Sequence, residues 1–338
     1  MHAVGFHQHL PISHPDALID AQLDMPVAAD RDLLVEVKAT AVNPVDTKVR
    51  KDGEPEKELR VIGWDAAGIV KSVGSAVTLF KPGDEVYYAG SIRRSGSNSE
   101  FQLVDERIVG AKPESLNFAA AAALPLTTLT AWEGLFDRLG IATSGADKGK
   151  SLLVIGGAGG VGSIAIQLAK QLAQLRVIAT ASRPESTQWV RQLGADHVID
   201  HRQELSAQLV TAGIGEVDYI LCATDFDAYF PRFAAMMQPQ GKICLIVSSK
   251  NPVNLTSLMQ KSVTVSWELM FTRSMFGTPD MVRQHEILTE AAKLVDRGTL
   301  RTTLGQHLGR INAANLKRAH GMIEAGHTIG KLVLEGFG

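Results

Sequence analysis

The chain has 338 residues, longer than one typical domain, so two domains are expected. Its 45% hydrophobic and 21% charged content is that of an ordinary globular protein and excludes a disordered or fibrous class. A formal net charge of -2 gives no electrostatic reason to expect nucleic acid or an anionic membrane as a partner, and no apolar run is long enough to span a bilayer.

The first segment, MHAVGFHQHLPIS, lacks a basic region followed by an apolar run, so a cytoplasmic location is expected. Residues 1–110 read as mostly β. A first strand falls at 3–8. The stretch 32–41 (DLLVEVKATA) alternates apolar and polar residues, as a half-buried strand does. The stretch 61–73 (VIGWDAAGIVKSV) reads as strands interrupted by glycine, Pro82-Gly83-Asp84 as a turn, and 85–89 as a further strand. Short strands between Gly/Pro turns predict a compact barrel-like domain. The polar stretch 93–99 (RRSGSNS) reads as a mobile surface connection. An alanine run at 119–123 suits a helix, Pro125 interrupts it, and 127–136 resumes; this is the expected hinge.

From residue 151 the chain alternates strand and helix. Strands are predicted near 151–155, 176–181, 197–199, 217–222, 241–247 and 263–267, and helices near 161–174, 184–193, 203–211, 226–237 and 280–297. Such alternation implies a parallel sheet covered on both faces. Cys222 and Cys244 lie in two of the apolar strands and read as core residues; a reducing cytoplasm argues against a disulfide. The rest, 299–338, carries short strands and one helix, with a return to the first domain expected.

The segment 151–183 (SLLVIGGAGGVGSIAIQLAKQLAQLRVIATASR) organises this half. Gly157, Gly159 and Gly162 fit G-x-G-x-x-G between a strand and a helix, with Ala158, Gly160 and Val161 completing the turn. The spacing assigns Gly157 to the sharp turn off the strand, Gly159 to the approach of a pyrophosphate, and Gly162 to close helix packing. The helix start then offers free N–H groups to phosphate. A tight turn with no ligand is the plain alternative.

An acidic residue about 20 positions beyond such a motif would hold a ribose 2′-hydroxyl. Here the second strand ends Thr180-Ala181-Ser182-Arg183. Ser182 offers a hydrogen bond and Arg183 a charged planar fork that matches a 2′-phosphate, which favours NADPH; a solvated arginine before Pro184 is the alternative.

The pieces AVNPVDTKVRKDG (41–53), VIGWDAAGIVKSVG (61–74), FKPGDEVYYAG (80–90), LPLTTLTAWEGLF (124–136), GGAGGVG (156–162), LGADHVIDHR (193–202) and GKLVLE (330–335) together resemble the medium-chain dehydrogenase/reductase superfamily over essentially the whole chain. Within it the chain is most similar to the quinone oxidoreductase branch and its zinc-type alcohol dehydrogenase-like members. The resemblance implies an α/β protein: a GroES-like β-barrel domain at 1–125 plus 268–338, and a Rossmann doubly wound parallel sheet binding NADP at 126–267. The active-site cleft is expected between the two, and the assembly is expected to be a homodimer joined through the edges of the cofactor sheets.

The resemblance also implies site residues. Thr127 and Thr130 match hydroxyls near the nicotinamide and its ribose, unless they only bond their own helix backbone. His201 stands where related reductases often carry a Tyr near the 2′-phosphate, and a plain surface-loop His is the alternative. Lys331 matches a lysine near the cofactor, or else is a strand-edge lysine. Ile246, Val247 and Ser248 end the fifth strand and should face the nicotinamide through backbone groups.

Zinc-dependent members carry a catalytic Cys where this chain has Asn43, and G-H-E-x-x-G where this chain reads Gly63-Trp64-Asp65-Ala66-Ala67-Gly68. Catalytic zinc takes three protein N, S or O ligands, so zinc is not expected. A hydride acceptor that needs no metal is then favoured: a quinone or an α,β-unsaturated carbonyl. Asn43 is a candidate for orienting the cofactor or donating to the developing oxyanion, or is merely a turn residue before Pro44. Lys48 replaces a Tyr often found in the branch and could tune acceptor preference or act as a proton donor; a solvated surface lysine is the alternative. Trp64, Tyr87, Trp267, Phe271 and Phe276 are candidate apolar walls, with core packing an equal alternative. A zinc-independent alcohol or aldehyde dehydrogenase and an NADPH-binding protein with little turnover remain alternative functions.

Overall fold

The computed structural model describes residues 1–337. The chain forms two compact units, Met1–Leu129 with residues 271–337, and Thr130–Met270. The boundary falls inside the helix Pro125–Trp132.

The second unit is built on Ser151–Ile155, a strand buried along its whole length. Its Leu-Leu-Val-Ile run has no polar alternation because helices cover both faces of a parallel sheet. The six parallel strands lie in the order His197–Ile199, Arg176–Thr180, Ser151–Ile155, Val217–Cys222, Met237–Leu245, Thr264–Trp267. Numbered along this unit, that is 3-2-1-4-5-6, the order of a dinucleotide-binding sheet, with its topological switch beside Ser151–Ile155. Leu153, Ile155, Ile178, Ile220, Phe226, Phe230, Phe233 and Met236 pack into one buried cluster on this sheet.

The fifth strand departs from expectation. It begins at Met237, directly after the helix Phe226–Met236, rather than at 241 after a turn. Gln240 has φ of +64°, and the pairing with Val217–Cys222 shifts register between Val217 and Tyr219. The polar Gln-Pro-Gln-Gly sequence makes a bulge, which keeps the strand direction while inserting residues.

The first unit is β-rich. Its larger sheet has seven strands, centred on Asp32–Val42. One edge of this long strand pairs antiparallel with Ala66–Val73. Along the other edge its first half pairs with Phe101–Asp105 and its last four residues with Leu332–Glu335 of the strand Lys331–Glu335. That pairing brings the chain terminus back to the N-terminal half. A second sheet joins Ile19–Gln22, His2–Phe6 and Arg60–Val61. The helix Arg283–Asp296 packs so closely on this unit that a Cβ on Gly110 would lie 2.4 Å from that of Leu288. The Tyr87 hydroxyl donates to the Leu288 carbonyl at 2.6 Å.

The stretch 93–99 is not a mobile surface connection. Residues 93–95 are exposed, but Ser97, Asn98 and Ser99 are buried. The amides of Gly96, Ser97 and Asn98 donate to the carbonyls of Val61, Gly63 and Ile62. Its amides and the Ser97 and Ser99 hydroxyls satisfy backbone carbonyls, a use that polarity alone does not reveal. Among the described residues, no helix is long and apolar enough to cross a membrane.

Candidate functional site

The glycine turn lies at the carboxyl end of Ser151–Ile155. The reversal off the strand falls on Gly156, with φ of +85°, rather than on Gly157. Gly157 instead permits close approach to the neighbouring strand, since a Cβ there would lie 2.9 Å from Cβ of Ala179. The Gly156 amide is pinned by the Thr180 hydroxyl at 2.9 Å. Gly159 occupies the N-cap of the helix Gly160–Gln171 and has no side chain to offer the first-turn amides. Gly162 is the tightest position: a Cβ would come within 2.3 Å of the Gly156 carbonyl oxygen. Ala158, Gly159, Gly160 and Val161 form the partly exposed rim. Backbone donors at a helix start and the positive end of its dipole suit an anion.

The adjacent strand end is basic. Ser182 and Arg183 follow Arg176–Thr180 and are partly exposed, and Arg183 caps the helix Pro184–Gln192. His201 is partly exposed in the turn after His197–Ile199. Sequence reasoning missed Arg202, whose guanidinium donates to the Ser182 carbonyl at 2.9 Å and to Asp200 at 2.6 Å. That pairing holds the Asp200 carboxyl down at about 2. The only signal for Arg202 was its charge two residues beyond Asp200, which did not reveal its contact with Ser182. Ile246 follows the fifth strand and donates its amide to the Cys222 carbonyl, Val247 leans on the apolar cluster, and Ser248 is exposed. Burial pushes both the Cys222 and Cys244 thiols up to about 12, which leaves them as inert core groups.

The first unit holds a different kind of centre. Asn43 caps a helix, Pro44–Lys51, where the sequence suggested a turn at most. Pro44 at the first helical position and Asp46 two residues on are helix-start residues. The Asn43 amide N–H donates to Asp46 Oδ2 at 2.5 Å. The Asn43 side chain is engaged at both ends: Nδ2 donates to Asp65 Oδ2 at 2.8 Å, and Oδ1 accepts from Lys331 Nζ. Lys331 Nζ also reaches Asp65 Oδ2 at 2.8 Å and the Val42 carbonyl at 3.1 Å. Asp65 Oδ1 accepts the Leu126 amide at 2.7 Å, so this carboxylate caps the first turn of Pro125–Trp132. Asn43, Asp46, Asp65 and Lys331 are all buried.

Burial is the largest influence on both acids. It pushes the Asp46 carboxyl up to about 7. It pushes Asp65 upward too, against the opposing pull of Lys331. Asp46 Oδ1 is buried without a hydrogen-bond partner. Thr127 is buried in the helix that Asp65 caps, and its hydroxyl donates to the Leu124 carbonyl at 3.1 Å. Thr130, on the same helix, is also buried. Lys48 is exposed on Pro44–Lys51.

The aromatic candidates divide. Trp64, Tyr87 and Phe271 are core residues. The Trp64 indole N–H donates to the Ser91 carbonyl at 3.2 Å, and its ring meets Phe271 edge-on at 6.0 Å. Trp267 and Phe276 are 51% and 67% exposed, because a strand edge and a five-residue helix give them too few neighbours to be walls within their own units.

Comparison with known proteins finds two family matches. Residues 29–125 match the family described as alcohol dehydrogenase GroES-like domain, and 193–334 match the family described as zinc-binding dehydrogenase. A zinc-type alcohol dehydrogenase-like protein of Staphylococcus epidermidis is 40% identical over 335 residues, covering 99% of both chains. An NADPH-dependent alkenal/one oxidoreductase of Arabidopsis thaliana is 39% identical over 196 residues, 55% of this chain and 49% of that one. A Rhizobium etli crystal structure, named for zinc-dependent alcohol dehydrogenase, is 52% identical with a TM-score of 0.96, covering 100% of this chain and 98% of that chain. Escherichia coli quinone oxidoreductase complexed with NADPH is 27% identical with a TM-score of 0.84, covering 99% and 100%.

Proposed function

The chain belongs to the medium-chain dehydrogenase/reductase superfamily, and from that premise we propose that it is an NADPH-dependent reductase of quinones or α,β-unsaturated carbonyls. The observation that carries the reading is the phosphate turn with the basic strand end beside it. A Cβ at Gly162 would strike the backbone, so the turn is shaped for close packing, and its first-turn amides suit a pyrophosphate. Arg183 and Ser182 suit a 2′-phosphate, with His201 and Arg202 adding donors beside them. Asp200, the acid in that neighbourhood, is already taken up by Arg202. The relatives named for NADPH and for alkenal/one or quinone chemistry agree with this assignment.

A bound nicotinamide would supply the hydride; the chain supplies position and electrostatics. Backbone groups at Ile246, Val247 and Ser248 and the hydroxyls of Thr127 and Thr130 are the proposed orienting groups. Quinones and enones suit this chain because hydride addition to them leaves a resonance-stabilised anion, which hydrogen bonds alone can support. Asn43, fixed at both ends of its amide, is proposed to orient rather than to donate to that anion. Lys48 is free to sample solvent and is proposed to influence acceptor preference. A homodimer through the outer edge of Thr264–Trp267 completes the reading, with exposed Trp267 as its apolar contact.

The test is NADPH oxidation with an o-quinone and with a simple enone, run beside NADH. Turnover of either acceptor with a preference for NADPH is expected. Retained NADPH binding with no turnover across a broad acceptor panel would instead leave a binding protein.

A further inference from the structure

The zinc-dependent relatives invite the question of whether the same part of this chain can hold the ion. Its donor set does not fit. The two positions that match ligands carry Asn43 and Trp64. Trp64 has no lone pair to give, and its N–H is committed to the Ser91 carbonyl. The Asn43 oxygen, the one neutral donor left, accepts from an ammonium. Asp65, in the motif position beside Trp64, has both oxygens occupied: Oδ1 by the Leu126 amide, Oδ2 by Asn43 Nδ2 and Lys331 Nζ.

We infer that the Asn43–Asp65 centre of the first unit is complete without a metal ion, its carboxylate neutralised by the Lys331 ammonium. The count of hydrogens supports this. A lysine ammonium has three N–H donors, and here three acceptors surround it: the Val42 carbonyl, Asn43 Oδ1 and Asp65 Oδ2. Lys331 is 3% exposed and Asp65 is 0% exposed, so neither charge can be met by water. A buried ion pair is tolerated only when the remaining donors and acceptors are also satisfied, and this one meets that condition. Through Asp65 and Leu126 the cation also fixes the first turn of Pro125–Trp132, which carries Thr127. Lys331 is thus a positioning residue. The inference does not depend on the acceptor class proposed above.

The experiment combines metal analysis with a charge-balance cycle. Full-length protein from zinc-supplemented cells is assayed for bound metal and its Tm is measured with and without a chelator. Lys331→Met, Asp65→Asn and the double variant are compared for Tm and for NADPH affinity by fluorescence. Substoichiometric zinc and a chelator-insensitive Tm are expected. Lys331→Met should lower Tm by on the order of 10 °C, because it strands a buried carboxylate. The double variant should recover most of that loss, which simple loss of packing at position 331 would not allow. One tightly held zinc per chain whose removal lowers Tm would overturn the inference, and so would a Lys331→Met protein as stable as the wild type. If Lys331→Met does not fold, the double variant and the chelator measurement still decide.

Discussion

The turn at 156–162 and the centre around Asp65 both concentrate polar groups, by opposite means. In the turn the groups are backbone N–H donors at a helix start, and the residues that place them are valued for lacking side chains. Around Asp65 the groups are side chains, each donor meets an acceptor within the same unit, and the whole centre is buried. The first arrangement offers hydrogen bonds to a ligand, and the second consumes them internally. A ligand site and a structural charge cluster can therefore hold similar polarity, and what separates them is which donors remain open. Both units bury charged side chains, Glu133 and Glu268 in the 130–270 unit and Asp46, Arg50 and Asp65 in the other, where His320 is buried too.

The comparison breaks most sharply at Gly162. Gly162→Ala places a Cβ against the Gly156 carbonyl oxygen, so the helix must move away from the strand. A loss of about 3 kcal/mol is expected by urea denaturation, with NADPH binding lost in the same variant. Wild-type stability would show that this close approach is not needed.

The next effect belongs to Asp46. Its carboxyl is raised to about 7 by burial, from an ordinary value near 3.8. The folded state therefore holds this proton where the unfolded state has lost it. This group's contribution to stability is full below pH 3.8 and is lost as pH rises from there through about 7. Asp46→Asn keeps an acceptor for the Asn43 amide and should flatten that window. Denaturant midpoints at pH 4, 5.5 and 7 for both proteins measure it, and parallel pH curves would contradict the assignment.

His320 works in the opposite direction. Burial, aided by Arg50, lowers its ring to about 3. The unfolded state then takes up a proton that the folded state refuses, so stability is full above pH 6.5 and is lost as pH falls. The loss should reach about 2 kcal/mol by pH 5. His320→Gln should remove that acid arm. Because both groups lie in the same unit, local hydrogen exchange should place most of the pH response there; an even response across both units would dissolve the contrast.

The smallest predicted effect sharpens the ligand side. Arg183→Ala should weaken NADPH about tenfold, or about 1.4 kcal/mol, and leave NADH nearly unchanged. Equal losses for both nucleotides, measured by fluorescence titration, would remove the 2′-phosphate assignment.

The strand–turn–helix at 151–171 was legible because its rules are local. An unbroken apolar run, glycines at fixed spacing and a helical apolar stripe all lie within one stretch of chain. Even there, the sequence placed the sharp reversal one residue late, at Gly157, because neighbouring glycines look alike until φ is known. The helix at Pro44–Lys51 had a readable start in Asn-Pro-x-Asp, but so short a segment also reads as a turn. The buried loop at 96–99 and the bulge at Gln240 were not legible, since polarity does not say whether a group faces water or a backbone partner.

By itself, then, the sequence determined the two-unit α/β plan, the order of strands and helices along 151–267, and the glycine turn at the helix start, all set by periodicity and by where glycine must stand. Only the tertiary structure decided the fate of Asn43, Asp65 and Lys331. Lys331 lies 266 residues from Asp65 in sequence, and the two meet because Lys331–Glu335 pairs with Asp32–Val42. Charge compensation in a buried site depends on distance in space, and no local pattern of residues encodes that distance.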